Sequence, residues 1–525
     1  MQLKLPPRTS PKQFDAALAA FARVVGKDWV LASDADRDAY SDIYAPGSAE
    51  PWASSAAVAP ASVDEVRAIV RLANEHKVPL WPVSRGKNLG YGTAAPRMAG
   101  SVVLDLGRMN KIIELDARLA YAVLEPGVSF FDLYEEIQRQ KLPLWLSVPG
   151  NAWGSVLGNA FEHGIGYTPY GLHARNLCGF EVVMPDGDLV RTGMGAMAGN
   201  HAWHLHPLSY GPTLDLAFTQ SSLGVVTRAG LWLQPAPPSS LELVFDIPNE
   251  DDIGWVIDTI APLKISGLVD QNVFIPSWLG KMVLKGQRAD FWDKPSAIPE
   301  WRVAELLKQY KLGYWQVALR LYGDETVVKA KADIVKAAMA RHLAAPPAEH
   351  WWHEGEPMNA IDTTMGVPSA VPLQMSDWVG GRGAHMGFSP VVPATSEHVL
   401  GQLKRSRKII ADHDVDFYAS FTIGGRFATN INMLMYDRDQ PAQIDNIKKL
   451  FNALIAGTAQ AGYGEYRTHL GWMDTVMDTY DFNGHALRRL NEKIKDALDP
   501  NGVIAPGKQG VWPSAYRAHA KEGRA

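Results

Sequence analysis

Ser84-Arg85-Gly86-Lys87-Asn88-Leu89-Gly90-Tyr91-Gly92 follows directly on a short apolar run at residues 78–83 that reads as a strand. Its three glycines let the backbone come close to a ligand and turn N–H groups toward an anion, while Arg85 and Lys87 bring positive charge. A diphosphate is the natural guest. The spacing is not that of a nucleotide triphosphatase loop, and no G-x-G-x-x-G opens a helix after this strand, so a dinucleotide fold of the Rossmann kind is not indicated. Taken alone, such a loop is more often a plain glycine-rich turn.

Working outward, Ser62 and Glu65 have capping-box spacing, and Val66, Ile69, Val70 and Ala73 recur at helical intervals, so a helix starts near Ser62. Strands are expected at 102–106 and 121–124, with a hairpin at 180–184 and 189–191 around Pro185-Asp186-Gly187-Asp188. Pro235-Ala236-Pro237-Pro238-Ser239-Ser240 reads as a linker. Beyond it come strands at 241–245 and 314–321 and helices near 324–342 and 442–456, the latter with a stripe of Ile444, Ile447, Leu450, Phe451 and Leu454. A last helix at 487–498 stops sharply at Asp499-Pro500-Asn501-Gly502. The fold class is α+β in two domains, a division the length of 525 residues also favours.

Lys+Arg 51 against Asp+Glu 56 leaves a net charge of -5, which gives no electrostatic case for nucleic acid or an anionic membrane. The single cysteine, Cys178, excludes an intramolecular disulfide and any Cys-based zinc or iron–sulfur site. No signal-peptide pattern opens the chain and no apolar run is long enough to span a bilayer, so a cytoplasmic protein is expected. His201, His204 and His206 lack a carboxylate or cysteine to complete a metal site, and no G-x-S-x-G elbow supports a hydrolase. No metal is expected.

Tyr466-Arg467 carries the chemistry. A guanidinium keeps its charge at any working pH, and a phenol hydroxyl can donate to the same oxygen, so the pair suits a bound phenolate. It would lower a bound phenol's pKa from its free value of about 10. Alone, the dipeptide is more often an ordinary surface Tyr-Arg.

Two further small-residue segments, residues 153–159 and 218–227, accompany the glycine loop. In order and spacing the three resemble the flavin-adenine-dinucleotide domain of the vanillyl-alcohol oxidase family, also called the p-cresol methylhydroxylase family. Matching stretches run over nearly the whole chain and include Phe131-Asp132-Leu133-Tyr134, Gly164-Ile165-Gly166-Tyr167, Gly387-Phe388-Ser389-Pro390 and Ala505-Pro506-Gly507-Lys508. The resemblance implies an FAD domain from both chain ends (residues 1–238 and 466–525) and a cap at 239–465. It implies that Ser84, Arg85, Gly86, Lys87, Asn88, Gly90, Pro149, Gly150, Gly154, Ser155, Gly158, Asn159, Gly224, Val225, Val226 and Lys508 hold FAD.

In the same family Tyr91, Tyr466 and Arg467 match the residues that hold the substrate's phenolate, and Tyr167 matches a further active-site tyrosine. Phenolate formation makes hydride loss from the para benzylic carbon to the flavin feasible and leaves a quinone methide. The implied partners are a phenolic substrate, molecular oxygen or a small electron-transfer protein, and further copies of the chain. Two departures stand out. Several relatives carry an aspartate after the proline that is Pro149 here, where this chain has Gly150, which opens space for a bulky para substituent. Relatives also attach FAD through a His or Tyr, and Thr429 or Asn430 is expected at that place, so FAD is expected to be non-covalent, with His385 and His413 the alternatives from other segments. A flavin- or phenol-binding protein without turnover is the reading from another class.

Overall fold

A computed structural model describes residues 3–522. Strand Leu80–Val83 lies at the edge of a four-stranded sheet, parallel to Val102–Asp105, which is in turn parallel to Ala56–Val58. The crossover between Ala56–Val58 and Leu80–Val83 is the helix Val63–His76, whose Val66, Ile69, Val70 and Ala73 are buried. Ser62 caps it by accepting from the Glu65 N–H at 3.3 Å. Glu65 returns its carboxylate to the Ala61 N–H at 2.7 Å instead of to Ser62.

The chain's C-terminal part completes this layer. Leu80 N–H donates to Val503 O at 2.7 Å and Ala505 N–H to Leu80 O at 2.8 Å, so Val503, Ile504 and Ala505 enter the same core as Val58, Val66 and Leu104. A second, antiparallel sheet runs Ile112–Asp116, Tyr121–Leu124, Val225–Trp232, Leu177–Val183, Leu189–Arg191, and includes the expected hairpin.

Beyond residue 238 the sheets are antiparallel. Ser239–Ile247 pairs with Trp315–Gly323 and Ala348–His353, and alternation along it sends Leu241, Leu243, Phe245 and Ile247 into an apolar core. Val273–Pro276, Ser420–Ile423, Phe427–Asp437, Pro390–Pro393 and Gly464–Glu465 form a larger sheet on which Gly383–Phe388 also pairs. The helix Pro441–Gln460 buries Ile447, Leu450, Phe451 and Leu454 against it, with Ile444 only half-buried near its exposed start.

One expectation changes. The proline-rich stretch is not a free linker, since Gln234–Pro235 pairs with Leu144–Trp145 and Ser239 already opens the next strand. A proline with no N–H is tolerated there because the pairing is only two residues long. The last helix, Phe482–Leu498, is regular where 487–498 is expected, after Asn483, Gly484 and His485, all three of which are left-handed.

Candidate active site

The loop after Leu80–Val83 bends through left-handed φ at Gly86, Gly90 and Gly92. Gly92 shows why glycine is needed, because a Cβ there would lie 1.9 Å from Leu470 Cδ2. The loop is thus pressed against the segment that carries Tyr466 and Arg467. Leu470 N–H donates to Tyr91 O at 3.2 Å, and Arg467 Nη2 donates to Asn88 Oδ1.

These contacts form one end of a cavity of about 820 Å³. Tyr91, Tyr167, Tyr466 and Arg467 all line it, and so do Ser84, Gly86, Lys87, Asn88, Pro149, Gly150, Gly154, Ser155, Gly158, Asn159, Gly224, Val225, Val226 and Lys508. Arg85 and Gly90 do not. The Arg85 guanidinium turns away to Gly127 O at 3.1 Å and Asp132 Oδ2 at 3.4 Å, and so joins the start of the helix Phe130–Gln140. Gly90 lies behind the wall, where a Cβ would sit 3.1 Å from the His385 ring.

The Arg467 guanidinium carbon stands 4.0 Å from the centre of the Tyr91 ring, and Arg467 Nε is buried without a hydrogen-bond partner among the described residues. Burial raises the Tyr466 phenol, the Tyr91 hydroxyl nearby adds to the rise, and Arg467 opposes it. The Tyr167 phenol is pushed up to about 12, again chiefly by burial. These two hydroxyls therefore stay protonated and act as donors. At Gly150 an added Cβ would lie 3.4 Å from the Tyr167 hydroxyl, so that hydroxyl faces the space a side chain at 150 would take.

The glycine wall suits a long ligand with a charged middle. Ser155 Oγ caps Val156–Phe161 through the Gly158 N–H at 2.9 Å and donates to Pro126 O at 2.5 Å. A Cβ on Gly158 would sit 2.2 Å from Ser84 Oγ, so a side chain there turns the Ser84 hydroxyl out of its place on the wall. Lys508 pairs with Glu162 on the wall, and Lys87 Nζ lies 4.5 Å from the Trp153 ring. The Asn159 side chain is turned to the back of the wall, where His173 Nδ1 donates to its Oδ1 at 2.6 Å; burial takes that imidazole down to about 3 and keeps it neutral. Gly158→Val should fold but lose flavin. Purified protein with an undiminished flavin-to-protein absorbance ratio would contradict that placement.

Gln220, inside the small-residue segment 218–227, donates through Nε2 to Tyr466 O at 2.9 Å. Other residues of this site lie outside the motifs. Asp42, fully buried, accepts from Thr93 Oγ1 at 2.9 Å and from His469 Nε2 at 2.8 Å, and His469 Nδ1 accepts from Gly471 N–H at 3.1 Å. One carboxylate 427 residues distant thereby ties the Tyr91 loop to the Arg467 segment. His385 lines the cavity with Nδ1 buried and unpartnered, and burial lowers its pKa to about 4. Thr429 and Asn430 do not line the cavity; Asn430 Nδ2 donates instead to Ser420 O at 3.4 Å. His413 bonds Asn446 at 2.9 Å. His204 Nδ1 meets Cys178 O at 2.9 Å. Among the described residues no helix is long and apolar enough to cross a membrane.

A cavity with an anion-accepting glycine wall at one end and a buried arginine among tyrosines at the other is that of an FAD-linked oxidoreductase. The FAD binding domain family matches residues 54–193, and the C-terminal domain of FAD linked oxidases matches residues 369–509. The flavoprotein subunit of 4-cresol dehydrogenase (hydroxylating) from Pseudomonas putida is 34% identical over 97% of both chains. A solved 4-ethylphenol oxidase from Gulosibacter chungangensis, in complex with isoeugenol, superposes with a TM-score of 0.92 at 34% identity, over 98% of this chain and 100% of that one. p-Cresol methylhydroxylase with substrate bound gives 0.91 at 33% identity, over 97% and 99%. The chain belongs to the p-cresol methylhydroxylase and vanillyl-alcohol oxidase family of flavoproteins.

Proposed function

We propose that this flavoprotein oxidises para-substituted phenols at the benzylic carbon, with molecular oxygen as the acceptor. The observation that carries the reading is the buried Arg467 guanidinium, held by Asn88 and stacked on Tyr91, with Nε free of any partner among the described residues. A fixed cation in a dry site favours the phenolate over the phenol, and Tyr466 and Tyr91 supply hydroxyls for the same oxygen. FAD, held along the glycine wall, supplies the hydride acceptor. Tyr167 stays protonated, so near Gly150 it orients a benzylic hydroxyl or water as a donor and does not deprotonate it. The oxygen reading draws support from the likeness to 4-ethylphenol oxidase, and a protein acceptor is the alternative that the likeness to 4-cresol dehydrogenase suggests.

The test is anaerobic mixing with 4-alkylphenols while flavin absorbance is followed, then admission of air. Bleaching with fast recovery in air is expected. Slow recovery would move the assignment to a protein acceptor, and no bleaching by any phenol would sink the reading and favour binding without turnover.

The linkage of FAD follows the position of the imidazoles. Thr429 and Asn430 lie off the cavity, so their identity does not decide whether FAD is tethered. His385 is a neutral imidazole on the cavity wall with an unpartnered nitrogen, and we assign the tether to it, in place of non-covalent binding. Acid precipitation should leave the flavin in the protein pellet, and His385→Ala should release it to the supernatant. A coloured supernatant from the unmodified protein would restore the non-covalent reading.

A further inference from the structure

The cavity does not end at the phenolate site. From Tyr167 its wall continues to Phe274, whose ring centre is 5.2 Å from that of Tyr167, and then along Val273–Pro276 into the short helix Trp278–Met282. There it runs under a sheet face that pattern alone would give to solvent. Leu241, Leu243 and Phe245 point into the core, so Glu242 and Val244 point the other way, and across the register Ala318 stands beside Val244. Glu242, Val244 and Ala318 line the cavity, with Lys281 and Asp362 lining it as well. The arm opens between Leu284 and Ile361, which are 48% and 53% exposed.

An apolar hydride-transfer site has no use for charged residues at its far end, yet Glu242, Lys281 and Asp362 line this arm. Asp362 is satisfied by Arg320, which does not itself line the cavity. Arg320 Nη2 donates to Asp362 at 2.6 Å, its Nε to Thr364 Oγ1 at 2.7 Å and its Nη1 to Ser240 Oγ at 3.1 Å. The other two keep capacity to spare. Glu242 has Arg320 only at 3.5 Å, and the Lys281 ammonium makes no hydrogen bond or close ion pair among the described residues. Burial raises the Glu242 carboxyl and lowers the Lys281 amine, so both feel the dry arm. Arg320 neutralises Asp362, and Glu242 and Lys281 offset each other, so a charged ligand gains no net attraction. A neutral group that both donates and accepts gains from each, and that group is a hydroxyl.

We propose that this arm is a distal subsite for the para substituent, and that it selects phenols whose substituent is long, uncharged and hydroxyl-bearing, such as an aryl ether joined through an oxygenated three-carbon chain. The inference rests on the phenol reading above and names its substrate class. Gly150 leaves the passage between the two ends open on the Tyr167 side.

The experiment compares guaiacylglycerol-β-guaiacyl ether with 4-ethylphenol on the flavin-loaded enzyme and on Lys281→Met, Glu242→Val and Ala318→Phe. The first two remove the polar partners and the third fills the arm. The ratio of kcat/KM, extended over short, should fall about tenfold in Lys281→Met and Glu242→Val, the size of one lost hydrogen bond in a buried site, and at least as far in Ala318→Phe, whose ring takes the space of the substituent. Anaerobic calorimetry of the extended probe, which needs no turnover, should show the same loss of affinity. Unchanged ratios and affinities across all three variants would overturn the proposal and leave the arm an entrance only. If 4-ethylphenol fails to reduce the flavin, the phenol reading falls, whereas weakened binding of the extended probe to the variants would still support the subsite.

Discussion

Arg467→Met should lower the rate of flavin reduction by a 4-alkylphenol by roughly 10²–10³-fold, the loss of about 2.7–4 kcal/mol that follows removal of one preorganised donor from an oxyanion site. The pocket gives little relief. Arg467 is held in place by Asn88 and by the Tyr91 ring. The pH dependence should move as well. With the guanidinium present the bound phenol ionises below its free value of about 10; without it burial acts alone and raises that pKa, so the rising limb of kcat/KM shifts to higher pH. Arg467→Lys should recover only part of the rate, since an ammonium neither stacks on Tyr91 nor forks toward two acceptors. Stopped-flow reduction across pH checks both. A Met variant with the original rate and profile would remove Arg467 from the phenolate site, and Tyr466→Phe would then be the variant to examine.

What the sequence revealed was local. The glycine loop was legible because left-handed turns at Gly86, Gly90 and Gly92 need glycine, and the Tyr466-Arg467 pair because a phenol beside a guanidinium suits a single oxygen; both residues line the cavity. Composition could not say which cations of the loop face the ligand. Arg85 looked as suitable as Lys87, and only the helix start at Phe130–Gln140, with Asp132 in its first turn, draws it away. Asp42 was illegible as a partner of this site for a different reason, and His385 was legible only as an alternative beside His413. Each is an isolated residue whose role is created when distant segments meet, Asp42 at His469 and His385 at the cavity wall beside Gly90. The strand Phe427–Asp437 misled in the opposite way. Alternation puts Asn430 on the face opposite Ile431 and Met433, which line the cavity, and Thr429 shares their face but does not line it.

The second large effect is on stability and lies away from the chemistry. Lys495 and Asp499 are fully buried and paired at 2.7 Å, one turn apart at the end of the helix Phe482–Leu498. Lys495 also donates to Ser222 O and Ile504 O, both at 2.6 Å, and Asp499 accepts from the Val503 and Ile504 N–H groups at 2.9 Å. This pair therefore fixes the C-terminal segment that pairs with Leu80, and through Ser222 it reaches the segment leading to Val225 and Val226 on the cavity wall. Removing one partner leaves a charge in a dry interior, at about 3–5 kcal/mol. For a chain of 525 residues that is about 3–5 °C in the thermal midpoint. Asp499→Ala should be worse than Lys495→Met, because it strands the ammonium and also leaves two backbone donors without their acceptor. Both should loosen flavin before they touch the phenolate site, so flavin retention should fall while the selectivity among phenols of the remaining holoenzyme stays the same. Thermal unfolding followed by flavin fluorescence reads the midpoint, and an Asp499→Ala midpoint within a degree or so of the unmodified protein would show that the pair is not what holds the C-terminal segment in place.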